Sequence, residues 1–218
     1  MNPNEFIITR KRKKYRFAIF ANAPNCFEME QLHAAHIVEL AAGKSVTLEI
    51  GAGTALFSVE LARRHPERFF IATDAKADRL QVGSIVATDE KLENIIFVRV
   101  HADQMTELIA PRTIDEIWLT FSDPFPKKRH AKHRLSHARF LSHYRTILSD
   151  NGVLLQKTDS HVLFDWSLEQ YVSNQWHITE LTYDLHESKL AADYKIMTTY
   201  EQRFSADGLP IYFVSARR

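Results

Sequence analysis

Three acidic side chains follow short apolar runs of the sequence, at points where the carboxyl ends of β-strands are expected. Glu49 lies in the run VTLEIGAG, Asp74 ends the run RFFIATD, and Asp123 follows the run IDEIWLTF. In open α/β sheets, ligands bind outside the carboxyl ends of the strands. Carboxylates at that edge can accept hydrogen bonds from ligand hydroxyl groups or stabilise a positive charge. The three acids therefore indicate a binding or catalytic site.

Two glycines, Gly51 and Gly53, stand in the turn that follows Glu49. Glycines between a strand and a helix let the backbone approach a ligand, and the following helix offers its N-terminus. A tight turn without a ligand is the alternative interpretation. The dinucleotide pattern GxGxxG is not met, because its third glycine would fall at Leu56. The turn therefore favours a nucleoside ligand without phosphates, such as S-adenosylmethionine, over NAD.

Asp74 and Asp123 each have a functional and a purely structural interpretation. An acid at the end of the second strand is placed to bind the two hydroxyls of a ribose, but it can also be the N-cap of the next helix. Asp123 lies in the segment Phe121–Pro126, which reads FSDPFP. Proline fixes φ and removes a backbone donor, so we expect a stiff loop that holds this acid at the sheet edge. A plain turn is the alternative.

Positive charge is concentrated in two segments. Residues 10–16 read RKRKKYR and contain six cations, and residues 127–134 read KKRHAKHR and contain five Lys or Arg. The whole chain has 28 Lys and Arg against 27 Asp and Glu, which excludes a uniformly basic nucleic-acid coat. The segment 127–134 adjoins the Asp123 loop, so we expect it to gather substrate phosphates, and a solvated face is the alternative. For residues 10–16 the alternative is a disordered basic tail.

From about residue 46 the sequence alternates between short apolar runs and amphipathic stretches. Such alternation predicts a parallel sheet covered by helices, with a doubly wound sheet as the main candidate. Residues 1–45 lie outside this rhythm and are interpreted as a basic N-terminal arm and a helix, so that 46–218 forms the main domain. The predicted strands are 46–53, 68–74, 95–103, 114–123, 153–159 and 209–216, with a hairpin partner near 177–184, and the predicted helices are 28–43, 56–66, 75–89, 137–152 and 160–174.

Composition limits the cellular compartment and the disulfide and metal sites that we expect. The chain has one cysteine, Cys26, so neither an internal disulfide nor a cysteine-based zinc site is expected. The eleven histidines show no metal-ligand spacing, and no apolar run has the roughly 18 residues of a membrane helix. We therefore expect a reduced, cytoplasmic, soluble protein without metal or membrane association, acting as a monomer or homodimer.

Several of these segments together resemble the bacterial tRNA (guanine-N7-)-methyltransferases. The resemblance rests on the turn Glu49–Gly53 and on SDPFPKKRHAKHRL (122–135), KTD (157–159) and MTTYEQRF (197–204), and it extends from NAPNCFE (22–28) to GLPIYFV (208–214). Its most specific part is DPFPKKRH. Members of that family use S-adenosylmethionine to methylate guanine 46 in the variable loop of tRNA.

The resemblance implies a fold and a set of cofactor residues. The fold is the Rossmann-like, class I S-adenosylmethionine-dependent methyltransferase fold: a doubly wound, mostly parallel, seven-stranded sheet with an antiparallel C-terminal strand. Glu49 then matches a ligand of the methionine end and Asp74 a ligand of the ribose, with Gly51 and Gly53 in the cofactor turn. Asp103 is the acid that we assign to the adenine end.

The resemblance also implies catalytic and substrate residues. Asp123 matches the acid that borders both the cofactor and the target base, so it is expected to be catalytic as well as cofactor-binding. The positions that match contacts to the substrate tRNA are Lys127, Asp159, Thr198, Thr199, Tyr200 and Glu201.

The sequence departs from the family pattern at four positions. Ala55 stands where a third glycine is usual, Phe125 replaces a common Trp, and His133 replaces a common Arg. Without a gap, the family's adenine-side acid aligns with His101 rather than with Asp103.

Other functions remain open at this point. A methyltransferase for a small molecule or another RNA would use the same cofactor residues, but a small-molecule enzyme leaves the cationic segments unexplained. A non-catalytic RNA-binding protein explains the cations and not the three acids.

Overall fold

The computed structural model describes residues 11–198, 201 and 208–218, with side chains from residue 13 onward. The chain forms two compact units, Met1–Ala110 and Pro111–Arg218. A short strand within residues 1–45 pairs with a strand of the first unit, so part of that segment belongs to the same sheet.

The first unit contains four parallel strands in the order β1-β4-β3-β2. Its strands are β1 (Cys26–Glu28), β2 (Val46–Ile50), β3 (Phe69–Asp74) and β4 (Ile95–Arg99), and its helices are α1 (Lys11–Asn22), α2 (Ala34–Ala41), α3 (Leu56–Arg64), α4 (Ala77–Asp89) and α5 (Met105–Leu108). Every residue of β2 is buried, and the other long strands are buried except at their last residues. Such continuous apolar runs are typical of parallel strands covered on both faces.

The basic N-terminal arm is helical where the structure describes it. Helix α1 packs against α4, and its residues Ala18 and Phe20 are buried. The Lys13 ammonium lies 3.9 Å from the Asp78 carboxylate, and the Arg99 guanidinium lies 5.3 Å from the centre of the Phe17 ring. A disordered tail is therefore the wrong interpretation for residues 11–16, while Arg10 lies outside the described residues.

The second unit contains strands β5 (Ile114–Thr120), β6 (Leu148–Thr158), β7 (His177–Thr182) and β8 (Tyr212–Arg217), and helices α6 (Ala138–Ile147) and α7 (His161–Ser173). Strands β5 and β6 are parallel, and β8 pairs antiparallel with both β6 and β7. The predicted antiparallel C-terminal strand and its partner are confirmed. The described residues thus form eight strands, and the addition to the predicted seven is β1.

The predicted helix 137–152 has the wrong end, because its last two residues, Asn151 and Gly152, do not belong to a helix. Helix α6 ends at Ile147, and the pair lies inside β6. There β6 bulges, because Ile114 pairs with Leu148 and Glu116 with Val153, so that residues 149–152 oppose only one residue of β5. A Cβ on Gly152 would lie 2.8 Å from the Leu148 side chain. Glycine is therefore needed for close packing at a bulge rather than for a helix stop.

An ion pair without solvent contact lies in the second unit. The Lys157 ammonium lies 2.8 Å from the Glu201 carboxylate, and both side chains are 0% exposed. The same ammonium donates hydrogen bonds to the carbonyl oxygens of Ile196 (2.6 Å) and Tyr194 (3.3 Å). Buried charges are tolerated only when they are paired and hydrogen-bonded, so each partner depends on the other.

Helix α4 lies against the turn that follows β2 and needs a glycine there. A Cβ on Gly83 would lie 2.7 Å from the Thr54 carbonyl oxygen and 3.0 Å from the Phe97 ring. Real Cβ atoms do not approach backbone oxygens so closely, so the turn or the helix would have to move.

Among the described residues, no helix is long and apolar enough to cross a membrane.

We predict that Gly83→Ala lowers the free energy of unfolding by about 1 kcal/mol. The substitution gains about 1 kcal/mol of helix propensity, but the overpacking it causes costs about 1–3 kcal/mol. Chemical denaturation measures the change, and Ile85→Ala, an exposed position in the same helix, is the matched control that stays within about 0.5 kcal/mol. A stabilised Gly83 variant would contradict the close contact.

We predict that Glu201→Gln lowers the free energy of unfolding by about 3 kcal/mol, because it removes the carboxylate charge 2.8 Å from the buried Lys157 ammonium. Asp150→Asn is the control, since Asp150 lies 3.0 Å from Arg112 in an exposed pair. Exposed pairs contribute less than about 1 kcal/mol. Equal losses in the two variants, measured by urea denaturation, would show that the buried pair has no special weight.

Candidate cofactor and substrate sites

The carboxyl ends of β2, β3 and β4 lie side by side at one edge of the first unit. The parallel register aligns Ile50 with Thr73 and Asp74 with Arg99. The glycine turn, Asp74 and the segment after β4 are therefore brought to a single edge, as the sequence analysis expects.

The glycine turn has a left-handed backbone and is bound to the end of β3. Gly51 and Gly53 have φ values of 74° and 58°, a region that glycine adopts without steric cost. The Ala52 amide donates to the Thr73 carbonyl oxygen (2.8 Å). The Gly53 amide donates to Asp74 Oδ2 (2.9 Å). The turn and the acid thus form one hydrogen-bonded unit.

Asp74 holds the turn with one carboxylate oxygen and its own chain with the other. Oδ1 accepts a hydrogen bond from the Lys76 amide (2.8 Å). The N-cap of α4 is Lys76, not Asp74. Each carboxylate oxygen has about two acceptor sites, so one on each oxygen is available to a ligand hydroxyl. The N-cap alternative therefore does not describe Asp74, whose geometry is compatible with binding a ribose.

Ala55, at the usual position of a third glycine, keeps a glycine-like backbone. Its φ is 55°, its side chain is buried, and α3 begins at the next residue. A non-glycine residue in this region costs about 1–2 kcal/mol. The departure from the family pattern therefore leaves the left-handed turn in place, at some cost in stability.

Glu49 is buried beside the turn, with 1% of the residue exposed. Its Oε2 accepts a hydrogen bond from the Ser58 hydroxyl (2.5 Å), and its carbonyl oxygen accepts one from the Thr73 hydroxyl (2.9 Å). The carboxylate is thus oriented by α3, the helix that follows the glycine turn.

The segment after β4 presents both candidate adenine-side residues. Asp103 lies in a short 3-10 helix, Ala102–Gln104, and His101 flanks that helix on its N-terminal side. Both side chains are exposed. The structure brings both of them to the edge where Asp74 lies and does not select between them.

This edge fits a nucleoside cofactor. A Cβ placed on Gly53 would meet no atom within 4 Å, so there is open space beside the turn. An acid with spare acceptor sites adjoins that space, and the buried Glu49 carboxylate lies next to the same turn. Hydroxyl groups and a positively charged ligand suit this set of carboxylates better than a pyrophosphate does.

In the second unit, the carboxyl ends of β5 and β6 also lie side by side, with Thr120 aligned to Lys157. Asp123 follows β5 in an exposed loop, and Asp159 directly follows β6 and is half-buried. Both residues therefore lie at the same edge of this unit.

The loop of residues 121–126, here called the acid loop, has two strained residues. Phe121 and Phe125 have φ values of 47° and 40°, which are unusual for bulky side chains. The Phe121 amide donates to the Lys157 carbonyl oxygen (2.9 Å), which fixes the start of the loop to β6. The loop is thus stiff, and proline is only part of the reason.

The cationic segment 127–134 is divided between solvent and interior. Four of its cations are exposed: Lys127, Lys128, Arg129 and Lys132. Arg134 is only 5% exposed and donates hydrogen bonds to the carbonyl oxygens of Pro124 (2.9 Å) and Phe125 (3.1 Å). Arg134 therefore differs from the four exposed cations of the segment, because its guanidinium is buried and binds main-chain carbonyl oxygens.

The segment around Thr198 is organised by a reciprocal pair of hydrogen bonds. The Thr198 amide donates to Glu201 Oε2 (2.7 Å), and the Glu201 amide donates to Thr198 Oγ1 (3.1 Å). Thr198 is half-buried, whereas Glu201 is fully buried against Lys157. Thr199 and Tyr200 lie outside the described residues. The Glu201 side chain thus supports the segment from inside and does not reach its surface.

Sequence reasoning does not identify the roles of Lys157 and Arg134. Lys157 lies in the segment KTD, and Arg134 is one of five cations in the segment 127–134. A lysine at the end of the apolar run VLLQK is a signal for the first, because cations are rare in buried strands. The sequence holds no comparable signal for Arg134.

Solved structures with a similar fold include methyltransferases of 16S rRNA. KamB, a 16S rRNA methyltransferase, superposes with a TM-score of 0.65 at 16% identity and covers 84% of this chain and 93% of its own. The 16S rRNA (adenine(1408)-N(1))-methyltransferase from Catenulisporales acidiphilia gives 0.61 at 14% identity, over 85% and 93%. The class I methyltransferase fold is thereby confirmed.

Proteins with similar sequences identify the family more specifically than the solved structures do. A family described as "Putative methyltransferase" matches residues 43–214. The tRNA (guanine-N(7)-)-methyltransferase of Brevibacillus brevis is 45% identical over 172 residues, 78% of this chain and 79% of the relative. The enzyme of the same name from Bacillus subtilis is 33% identical over 77% of this chain and 78% of its own. With the glycine turn, the acid loop and the cationic segment all in place, the chain belongs to the tRNA (guanine-N(7)-)-methyltransferase family.

Proposed function

We propose that this protein transfers a methyl group from S-adenosylmethionine to N7 of guanine 46 in the variable loop of tRNA. The observation that carries the proposal is the exposed Asp123 carboxylate of the acid loop. The cationic segment with its four exposed cations follows this loop directly. Membership of the family supports the methyl donor and the guanine of tRNA. The position in the variable loop rests on the resemblance of the segment 122–135.

The chemistry requires little beyond alignment. Guanine N7 carries an unprotonated lone pair, so no base has to create the nucleophile. S-adenosylmethionine supplies an electrophilic methyl group on a sulfonium. The work of the protein is to orient and desolvate the two reactants, which can supply much of the rate enhancement.

Asp123 is the catalytic residue in this proposal. Methylation leaves positive charge on the guanine ring, and a carboxylate fixed close to the ring stabilises that charge as it develops. The same carboxylate can instead accept hydrogen bonds from the Watson–Crick edge of the base, where N1 and the exocyclic amine are donors. Either role fits an exposed side chain in a stiff loop.

The proposed cofactor residues lie at the carboxyl ends of the strands of the first unit. The spare acceptor sites of Asp74 bind the ribose hydroxyls, and Glu49 lies toward the methionine end. The left-handed turn at Gly51 and Gly53 provides the close approach of the backbone. Asp103 binds the adenine end, with His101 as the alternative.

The substrate residues are the exposed cations and the surface of the neighbouring segments. A guanine inside folded tRNA must be extracted, at a cost of a few kcal/mol. Phosphate contacts from Lys127 and its neighbours, and from the cations of α1, offset this cost. Asp159 and Thr198 with Thr199 and Tyr200 contact the tRNA, and Glu201 acts by positioning Thr198. We place the reaction in the cytoplasm.

The experiment that tests the proposed function is methyl transfer from labelled S-adenosylmethionine to unmodified bacterial tRNA. We expect label in wild-type tRNA and none in a tRNA whose guanine 46 is replaced by adenine. Label in both tRNAs would retain the enzyme class and reject the position. Bound cofactor without label in either would reject tRNA as the acceptor.

We predict that Asp123→Ala lowers kcat by about 10²–10³-fold, as expected when a group that stabilises transition-state charge is removed. The affinity for tRNA, measured by filter binding, changes much less, because the phosphate contacts remain. Asp123→Asn separates the two roles. A loss confined to kcat indicates charge stabilisation, and a rise in KM indicates recognition of the base edge. Unchanged turnover in the alanine variant would remove Asp123 from the mechanism.

A further inference from the structure

Arg134 differs from the other cations of its segment by burial and by what it binds. It is 5% exposed, and burial lowers the pKa of its guanidinium. Among the described residues, its hydrogen bonds go to two main-chain carbonyl oxygens and none goes to a carboxylate. Burying a charge without a counter-ion costs free energy. A buried arginine without a carboxylate partner therefore indicates a role that a neutral side chain would not fill.

The two acceptors belong to the acid loop, on the C-terminal side of Asp123. Nε donates to the Pro124 oxygen and Nη2 to the Phe125 oxygen, so one rigid group spans two successive peptides. The guanidinium carbon also lies 4.5 Å from the centre of the Trp166 ring. The fork is therefore fixed by α7 on one side and binds the loop on the other.

The loop needs such a support because Phe125 is in a conformation disfavoured twice. Its φ of 40° is unusual for an aromatic residue, and the following Pro126 favours an extended backbone at this position. Strain of this kind costs about 1–3 kcal/mol and persists only where the surroundings hold it. Phe121, at the other end, is held by its hydrogen bond to Lys157. Asp123 thus lies between two fixed points.

We infer that Arg134 is a positioning residue that sets the direction of the Asp123 carboxylate, and that it does not contact tRNA phosphates. This inference rests on the proposed function, because it is tested through the methyl transfer in which Asp123 is the proposed catalytic residue. A lysine retains the charge but cannot donate to two adjacent carbonyl oxygens in a fixed plane. The fork of Arg134, rather than its charge, is therefore what the reaction needs.

The chain offers a matched control in the same unit. Arg145 donates to two successive carbonyl oxygens, Asn174 (2.8 Å) and Gln175 (3.2 Å), and its guanidinium lies 5.3 Å from the Trp176 ring centre. These contacts precede β7, at the edge opposite to the acid loop. Both bonds come from Nη2 and Arg145 is half-buried, so Arg145→Lys removes an arginine contact to main-chain carbonyl oxygens that is not a two-nitrogen fork and lies away from Asp123.

The test compares wild type, Arg134→Lys and Arg145→Lys in methyl transfer to unmodified tRNA. We expect kcat to fall by about 10–100-fold in Arg134→Lys, since a displacement of about 1 Å costs up to that much, and to stay within about twofold in Arg145→Lys. Thermal unfolding midpoints should fall by similar amounts in both. Equal kcat in the two variants would overturn the inference.

The salt dependence of tRNA binding distinguishes positioning from a phosphate contact. Losing one phosphate contact reduces the slope of log affinity against log salt by about 0.7–0.9. We expect that reduction in Lys132→Gln and an unchanged slope in Arg134→Gln, which removes the charge. A reduced slope in Arg134→Gln together with retained kcat in Arg134→Lys would make Arg134 a phosphate ligand.

Trp166→Leu keeps both hydrogen-bond donors while it frees the guanidinium, so it should lower kcat in the same direction and by less. It provides the readout if Arg134→Lys does not fold. An inactive wild type rejects the proposed function, whereas an active wild type with an unaffected Arg134→Lys rejects only this inference.

Discussion

The buried ion pair between Lys157 and Glu201 is the interaction on which the second unit's functional edge depends. The ammonium of Lys157 binds the Glu201 carboxylate and the carbonyl oxygens of Tyr194 and Ile196. Its own carbonyl oxygen accepts the Phe121 amide at the start of the acid loop. One residue of β6 therefore ties two otherwise irregular segments to the end of the same strand. Removing either charge takes from the other a partner at 2.8 Å in a fully buried position, which is costly.

The cationic side chains of this protein have two different physical roles, which depend on whether they are exposed or buried. Exposed lysines and Arg129 keep their hydration and are suited to phosphate contacts that salt can screen. Arg134 and Lys157 have given up hydration to hold main-chain carbonyl oxygens, which salt does not disturb. The formal net charge of +1 hides this division, because it counts both kinds alike. Burial and hydrogen-bond partners, not residue type, decide which of the two a cation does.

Three of the seven non-glycine residues with positive φ in the described part of the chain lie in the two turns that follow functional strands. Gly51 and Gly53 adopt positive φ without cost, but Ala55, Phe121 and Phe125 do not. In both places hydrogen bonds from neighbouring strands or side chains hold the chain, through Asp74 in one and through Arg134 and Lys157 in the other. Such over-determined strain is common where a protein must present a group in a single direction.

The sequence by itself determined the order of the main strands and helices from residue 46 onward, because periodicity and Pro or Gly boundaries act over a few neighbouring residues. It also determined the family, since the segment DPFPKKRH is specific, and it placed Asp74 and Asp123 correctly at strand ends. It could not show that Asn151-Gly152 forms a bulge, that Cys26–Glu28 adds a strand, or that Arg134 and Glu201 point inward. These features depend on partners far away in the chain, such as Ile114 for Gly152 and Lys157 for Glu201. Local pattern fixes which element a residue belongs to, but only tertiary packing decides whether its charge meets water, a substrate or another buried group.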